Sequence, residues 1–526
     1  MYDITIIGGG VCGAAIAMYL SKYEVKCCLL EKENDIAIGT TRANSGIVHA
    51  GYDPEPDTLM ARLNVRGCEL IEEICEKLNI PYNKCGSMVI SFDAKDEAHL
   101  HKLYERGIAN GVRGMELLGK DALLEREPNL APNVPGALFA PSAAVVNPWR
   151  LCIGMAETAA KNGVDFFLNS EVTAIEKING AFAVTAGDKV IDTKYIINAA
   201  GLYSDKIAEL VGARDFEIFA SKGQYFLLDK TSYGIVNTVI FQCPTEKGKG
   251  VLVSPTADGN IIVGPNAESG NERDDVSTTR EGLDFVAAEA AKTTKLIDYR
   301  ENIRSFAGLR ANSDKPDFII GESALCRRFI NVAGIKSPGL TSSPAIGEYV
   351  IEVLEDCGLI LTEKENWEYP APHIGFAELS NEEKAKLCEE NRLYGNVICR
   401  CNVITEGEIL DALENSYIKP TTLDGIKRRT GSGMGRCQGG FCGVKIHEIL
   451  RKYYGVPAEE ILWDKDGSYR VKEKVGESND YTRYRYYRRR PRGHGCRGRR
   501  LRSGRYRYSS ARARLRGGRN TQPVYP

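Results

Sequence analysis

Tyr2-Asp3-Ile4-Thr5-Ile6-Ile7-Gly8-Gly9-Gly10-Val11-Cys12-Gly13 opens the chain, and its reading decides the fold. A short β-branched run suits a buried parallel strand, and here it breaks at once into G-x-G-x-x-G followed by the small, helix-compatible Ala14-Ala15-Ile16-Ala17-Met18-Tyr19-Leu20. The pattern is strand, tight turn, helix. Gly8 permits the turn, Gly10 lets the backbone approach a pyrophosphate, and Gly13 lets helix and strand pack closely, while the helix N-terminus offers N–H groups and partial positive charge to the anion. A second apolar run, Val25 to Leu30, ends in Glu31, 18 residues after Gly13 and close to the spacing of an acid that holds a ribose 2′-hydroxyl. A carboxylate there repels a 2′-phosphate, so the dinucleotide expected is FAD or NAD.

Length and composition set the frame around this turn. A chain of 526 residues holds two or three domains, and 43% hydrophobic with 26% charged residues is the balance of an ordinary globular protein. No apolar run approaches the roughly 20 residues of a membrane span. Met1 is followed directly by the first strand, which predicts a cytoplasmic protein without a signal peptide. Sixteen cysteines in a chain this long point to reduced thiols and a metal site rather than a disulfide framework.

Past Glu31, the stretch Gly39-Thr40-Thr41-Arg42-Ala43-Asn44-Ser45-Gly46-Ile47-Val48-His49-Ala50-Gly51 is polar, rich in small residues and suited to close approach to a flat ligand. Helical spacing predicts a helix over Leu59 to Leu78 and another over Asp96 to Asn110, with a strand at Ser87 to Phe92 between them. Strands are expected at Asp165 to Leu168, Val172 to Ile175 and Tyr195 to Asn198, the last running into Ala199-Ala200-Gly201. A β-rich run follows at Tyr225 to Leu228, Gly250 to Ser254 and Asn260 to Gly264. The parallel sheet is therefore interrupted by an antiparallel substrate domain. It resumes at Phe329 to Gly334, with Ile335 to Thr341 as a turn and Ala345 to Leu354 as the closing helix.

Four stretches taken together resemble the FAD-dependent oxidoreductases of the D-amino-acid oxidase type: the opening turn, Arg42 to Gly51, Asn198 to Gly201, and Gly334-Ile335-Lys336-Ser337-Pro338-Gly339-Leu340-Thr341. Within that group the chain looks most like the anaerobic glycerol-3-phosphate dehydrogenases and the L-2-hydroxyglutarate dehydrogenases. The resemblance implies that Ser45 and Gly46 face the flavin ring, that Val172 meets the adenine through its backbone, and that Gly339, Leu340 and Thr341 touch the isoalloxazine. Arg42, Ala200 and Gly201 join the cofactor wall on the same ground. A helix N-terminus after Thr341 favours negative charge on the reduced flavin. His49, one of six histidines, either takes a substrate hydroxyl proton or hydrogen-bonds the flavin and shapes its loop. Arg310, in Phe306-Ala307-Gly308-Leu309-Arg310, matches the position where the family holds a substrate anion, a task suited to a planar guanidinium; the bland alternative is a surface ion pair. The family often continues Leu-Arg with proline, and Ala311 stands here instead, which leaves the anionic hydroxy substrate open between glycerol 3-phosphate and a 2-hydroxyacid.

A second unit carries Cys399-Arg400-Cys401 and, after 35 intervening residues, Cys437-Gln438-Gly439-Gly440-Phe441-Cys442. Four thiolates on two short loops suit a [2Fe–2S] cluster or zinc. Gly431, Gly433, Gly435, Gly439, Gly440 and Gly443 let backbone N–H groups approach the sulfurs of a negatively charged cluster. Thr405-Glu406-Gly407-Glu408 reads as a capping box, and a further helix is expected over Leu423 to Arg429. The unit resembles the bacterioferritin-associated ferredoxin-like [2Fe–2S] domain, which implies electrons leaving singly for a partner, such as a flavin- or NAD-linked reductase or another electron-accepting subunit. A zinc-stabilised flavoprotein without turnover is the alternative from another class.

The expected organisation is α/β: a Rossmann-type FAD-binding domain (parts at about 1–80, 140–215 and 325–360) interleaved with an antiparallel β-sheet substrate domain (about 81–139 and 216–324), together spanning 1–362. A linker at 363–392 leads to the small helical [2Fe–2S] domain at 393–460, an extension at 461–480 and a tail at 481–526. The net charge of −1 hides an asymmetry: the tail holds 16 arginines and no acid, leaving 53 basic against 70 acidic residues before it, a net −17. Arginine interleaved with tyrosine ordinarily reads as a nucleic-acid or anionic-membrane arm. Here Arg485 to His494 also decodes, one base out of frame, into an apolar strand with a glycine turn. The tail is therefore expected to be a disordered frameshift product of a neighbouring reductase gene, with no nucleic acid as partner and at most peripheral membrane contact.

Overall fold

Ile4 and Ile6 are wholly buried because Tyr2–Ile7 lies in the middle of a parallel sheet with both faces covered, the setting its β-branched run calls for. Cys27–Leu30 and Lys189–Asn198 pair with it on either side, in registers Ile4 to Cys27 and Ile4 to Tyr195. Asp165–Phe167 adds outside the one and Cys326–Ala333 outside the other, all parallel. Helices Val11–Leu20, Leu59–Leu78, Pro148–Lys161 and Gly339–Asp356 close one face, sharing a core that includes Ile16, Leu29, Ile71, Leu151 and Ile346. Each fully buried Ile or Leu there contributes about 1.5–3 kcal/mol.

Among the described residues the second sheet has nine strands. Ile218–Leu228 pairs along its whole length with Asn302–Ser313, so Arg310 stands opposite Ser221 and Phe306 opposite Tyr225. The chain visits this sheet twice, at 87–140 and 218–313, and returns to the parallel sheet between visits; the substrate part is thus interleaved with the nucleotide part. Its strands are antiparallel except where Ser87–Ile90 meets Val239–Gln242 in parallel. Those two strands come from different visits, so no hairpin sets their relative direction.

The computed structural model describes residues 1–244, 250–475 and 483–486, which fall within one compact unit, Met1–Tyr487. A helix begins at Gly339, not after Thr341, so the stretch read as a turn supplies its first residues. The helix runs through Pro344: the Leu340 carbonyl that loses its backbone donor accepts from Ser343 Oγ at 2.8 Å instead. The segment read as a linker runs along the first part, with Lys364 N donating to Lys22 O (2.7 Å) and Trp367 Nε1 to Ser21 Oγ (2.9 Å). It also contains a helix, Asn381–Glu390, opened by a Ser380/Glu383 capping box. Beyond it Ile398, Ile409, Leu413, Ile426, Ile446 and Leu450 form a separate small core. The Thr405/Glu408 capping box opens Glu406–Glu414, and Leu423–Thr430 follows. In the basic tail, Arg483–Tyr486 pairs antiparallel with Val471–Val475; the remaining tail residues, and with them the expectation of disorder, lie outside the described residues.

Candidate functional site

Gly8 adopts φ +114°, and a Cβ on Gly13 would come within 2.0 Å of the Gly8 carbonyl oxygen. The turn therefore brings the helix N-terminus against the strand end, as the close-packing role of Gly13 requires. No side chain caps Gly10, and only Val11 N is taken nearby, by Thr41 Oγ1 at 3.0 Å. This bare N-terminus opens into a cavity of about 580 Å³.

Of the residues singled out from sequence, Gly8, Gly10, Glu31, Arg42, Ser45, His49, Val172, Ala200, Gly201, Arg310, Gly339 and Leu340 line this one cavity. Gly13, Gly46 and Thr341 stand behind its wall. Gly46 N donates to Asn44 Oδ1 (2.8 Å) and its carbonyl accepts from Val146 N (2.7 Å), while Thr341 Oγ1 accepts from His49 N at 2.9 Å. Glu31 Oε2 accepts from Gly9 N (2.6 Å) and Oε1 from Glu33 N (2.9 Å). Burial pushes the Glu31 carboxyl up, against the pull of those two amides. The Arg42 guanidinium is held by Asp464, a partner from the far end of the chain. Burial raises the Cys12 thiol to about 12, so it stays protonated and is no nucleophile.

His49 is fixed on several sides. Its carbonyl accepts from Asn64 Nδ2 (2.6 Å), its ring stacks on Phe241 (centroids 5.7 Å apart, planes at 23°), and Nε2 lies 3.3 Å from Ser337 Oγ. Arg310 projects beside Gly223 and against the Tyr225 hydroxyl. Burial raises Tyr225, and the adjacent guanidinium partly offsets it. Tyr225 in turn stacks on Phe306, with centroids 4.9 Å apart. Tyr225, Phe241 and Ser337 escaped the sequence reading, as did the role of Lys336, which lines the same cavity. Only Ser337 and Lys336 carried a signal, through their place in the glycine-rich stretch before Gly339.

The cavity suits a dinucleotide: it has an uncapped helix N-terminus, an acid at the ribose spacing, and backbone at Gly39 and Gly201 where an added Cβ would meet nothing within 4 Å. The four cysteines also meet, as two pairs. Cys401 Sγ and Cys437 Sγ are 3.8 Å apart, close to the separation of two thiolates on one tetrahedral metal with bonds of about 2.3 Å. Cys399 and Cys442 face each other in the buried half, and that contact, together with N–H groups of Gly433, Asn402 and Cys401, lowers Cys399 while Cys442 is raised. Among the described residues no three metal-ligating side chains converge on a single point. Two dithiolate pairs suit two irons better than one zinc.

The family model for FAD dependent oxidoreductases of the DAO group matches residues 3–353, and that for the BFD-like [2Fe-2S] binding domain matches 397–452. The chain belongs to the DAO family of FAD-dependent oxidoreductases. This DAO-family enzyme thus uses FAD and a [2Fe–2S] cluster. It is 46% identical to the glycerol 3-phosphate dehydrogenase of Caloramator mitchellensis over 470 residues, 89% of this chain and 98% of that one. The glycerol 3-phosphate oxidase of Mycoplasma genitalium is 36% identical over 69% of this chain and 97% of its own. Among solved structures, the dithionite-reduced L-α-glycerophosphate oxidase of Mycoplasma pneumoniae with FAD bound superposes at a TM-score of 0.67, with 33% identity over 71% of this chain and 99% of that one. No described helix of this DAO-family chain is long and apolar enough to cross a membrane.

Proposed function

We propose that the protein oxidises sn-glycerol 3-phosphate to dihydroxyacetone phosphate and passes the electrons, through the cluster, to a separate electron-accepting protein. The observation that carries this reading is that His49, Arg310 and Lys336 all line one cavity with the glycine turn. An anion held by Arg310 and Lys336 leaves the rest of a small substrate inside the wall that also holds the only cavity histidine besides His99.

FAD when bound supplies the hydride acceptor and the cluster a one-electron carrier. The chain's own groups do the rest. Arg310 takes two phosphate oxygens through its planar fork, held in direction by the Tyr225 hydroxyl and the Tyr225–Phe306 stack. Lys336 adds a second positive charge. His49 Nε2 accepts the substrate hydroxyl proton, its ring kept in place by Phe241 and by the Asn64 and Thr341 contacts to its backbone. Ser337 Oγ, 3.3 Å from that nitrogen, helps to hold the ring until substrate arrives.

The outlet is supported by exposure. Cys401 is exposed and Cys437 partly so, while Phe441 beside them is 83% exposed, a contact surface of the small kind that transient redox partners use. None of the 15 described cysteines forms a disulfide, in keeping with a reducing compartment such as the cytoplasm. Steady-state dye reduction by the holoenzyme, with sn-glycerol 3-phosphate and with L-2-hydroxyglutarate in separate assays, tests the substrate. Turnover of the phosphate ester is expected; turnover of the hydroxyacid alone overturns the assignment.

A further inference from the structure

Every described residue lining the cavity comes from the first 340 positions except one, Lys465. It belongs to the C-terminal segment that follows the cluster unit, and its position is pinned from both sides. Trp463 O accepts from Asp424 N (2.8 Å), Trp463 N donates to Ser468 O (2.7 Å), and Ser468 N donates back to Lys465 O (3.1 Å). Asp464 holds the turn against the nucleotide part: its carboxylate accepts from Arg42 and from Arg428 Nη1 (2.9 Å), and its carbonyl from Asn34 Nδ2 (2.8 Å).

Lys465 follows Asp464, whose carboxylate holds Arg42, and shares the cavity wall with Gly39, Thr40, Thr41 and Arg42; Thr41 Oγ1 accepts from Val11 N at the opening of the first helix. That is the pyrophosphate end of the cavity. Arg42, the cation closest in sequence to that end, already has its charge balanced by Asp464. Lys465 is half-buried and its ammonium makes no ion pair with a described residue. A positive charge without a partner, held at the mouth of an uncapped helix N-terminus, attracts a doubly charged diphosphate.

We infer that Lys465 binds the pyrophosphate of the dinucleotide, a ligand group lent to the flavin site by the C-terminal segment. The clamp of Asp464 on Arg42 and Arg428 is the positioning device. The cluster-bearing part and the flavin-bearing part are then coupled through one short stretch, Trp463-Asp464-Lys465, with the Trp463 ring 3.7 Å from the Cβ position of Gly439 in the second cysteine loop. Anything that loosens the docking of the C-terminal part should weaken the hold on FAD.

The test uses the full chain stripped of FAD and titrated anaerobically with FAD, and in parallel with riboflavin, which has no phosphate, following quenching of flavin fluorescence. Lys465→Ala and Lys465→Met should each weaken FAD binding about tenfold, the scale of one charge-assisted contact, and Lys465→Arg should stay within about twofold of the unchanged chain. Riboflavin affinity should not change, and the salt dependence of FAD binding should flatten in the Ala and Met variants. Iron content and far-UV circular dichroism of each variant report whether the fold is kept. FAD affinity unchanged in both Lys465→Ala and Lys465→Met overturns the inference. Equal weakening toward FAD and riboflavin also overturns it, because that marks a loss of shape rather than of a phosphate contact.

Discussion

Asp35→Ala is the sharpest probe of how the cluster unit is held. The Asp35 carboxylate is 1% exposed and accepts from Arg428 Nη2 (2.9 Å) and Nε (3.3 Å) and from Arg429 Nη1 (2.9 Å) and Nη2 (3.0 Å), with Ile36 N at 2.9 Å as a fifth donor. Removing it strands two guanidiniums unequally. Arg428 keeps Asp464 at 2.9 Å, whereas Arg429 keeps hydrogen bonds only to the carbonyls of Gly425 and Ile418, with the buried Glu157 carboxylate as its remaining nearby charge. Breaking a buried pair from one side costs about 3–5 kcal/mol, and Arg429 puts this case toward the upper end. With a urea slope of roughly 1–3 kcal/mol/M, the midpoint for loss of cluster absorbance should fall by roughly 1–5 M. Replacing the group as a set, Asp35→Leu with Arg429→Met, should recover much of the loss, because no charge is then left stranded. Acid should mimic the single change. Burial alone would raise Asp35, but Arg429 and Arg428 hold it below the usual carboxylate range, so its stabilisation is complete above the unfolded value and fades as pH falls through the lower folded value, below about 4. An Asp35→Ala midpoint within about 0.3 M of the parent chain would refute the reasoning.

Other changes follow from the same geometry. Gly13→Ala puts a methyl 2.0 Å from Gly8 O, so the helix must shift, and purified protein should carry little FAD, read as the ratio of flavin to protein absorbance. Arg310→Ala should raise KM for glycerol 3-phosphate by about a hundredfold, with flavin content kept; Arg310→Lys should fall between, having charge without the fork. Cys401→Ser should abolish the cluster signal in electron paramagnetic resonance, leave flavin reduction by substrate intact and stop transfer to a one-electron acceptor.

Local signals made most of the flavin part legible. G-x-G-x-x-G, its strand and Glu31 identify themselves because strand, turn and acid lie within about thirty residues and obey local sterics. The helix over Leu59–Leu78 matches its apolar spacing end to end. The Gly339 helix starts earlier than expected and carries Pro344, a breaker by local rules; only Ser343 Oγ, reaching back to Leu340 O, shows why it is tolerated. The Tyr225 contact to Arg310 and the Phe241 stack on His49 depend on which strand lies beside which, a matter of topology with no mark in the sequence. The Asn381–Glu390 helix did leave one, its Ser380/Glu383 capping box, inside the segment read as a linker. The docking of Asp464 on Arg42 joins residues more than four hundred positions apart and is visible only in the fold.

The central claim is that substrate electrons enter at the flavin beside His49 and Arg310 and leave through the four-cysteine cluster. One anaerobic mixing experiment tests it most directly. Holoenzyme is mixed with sn-glycerol 3-phosphate while visible flavin absorbance is followed, and samples are frozen for electron paramagnetic resonance. The account predicts that flavin absorbance bleaches and that the signal of a reduced [2Fe–2S] cluster follows it. Flavin that dithionite bleaches but glycerol 3-phosphate does not, in protein with full flavin and iron content, would contradict it.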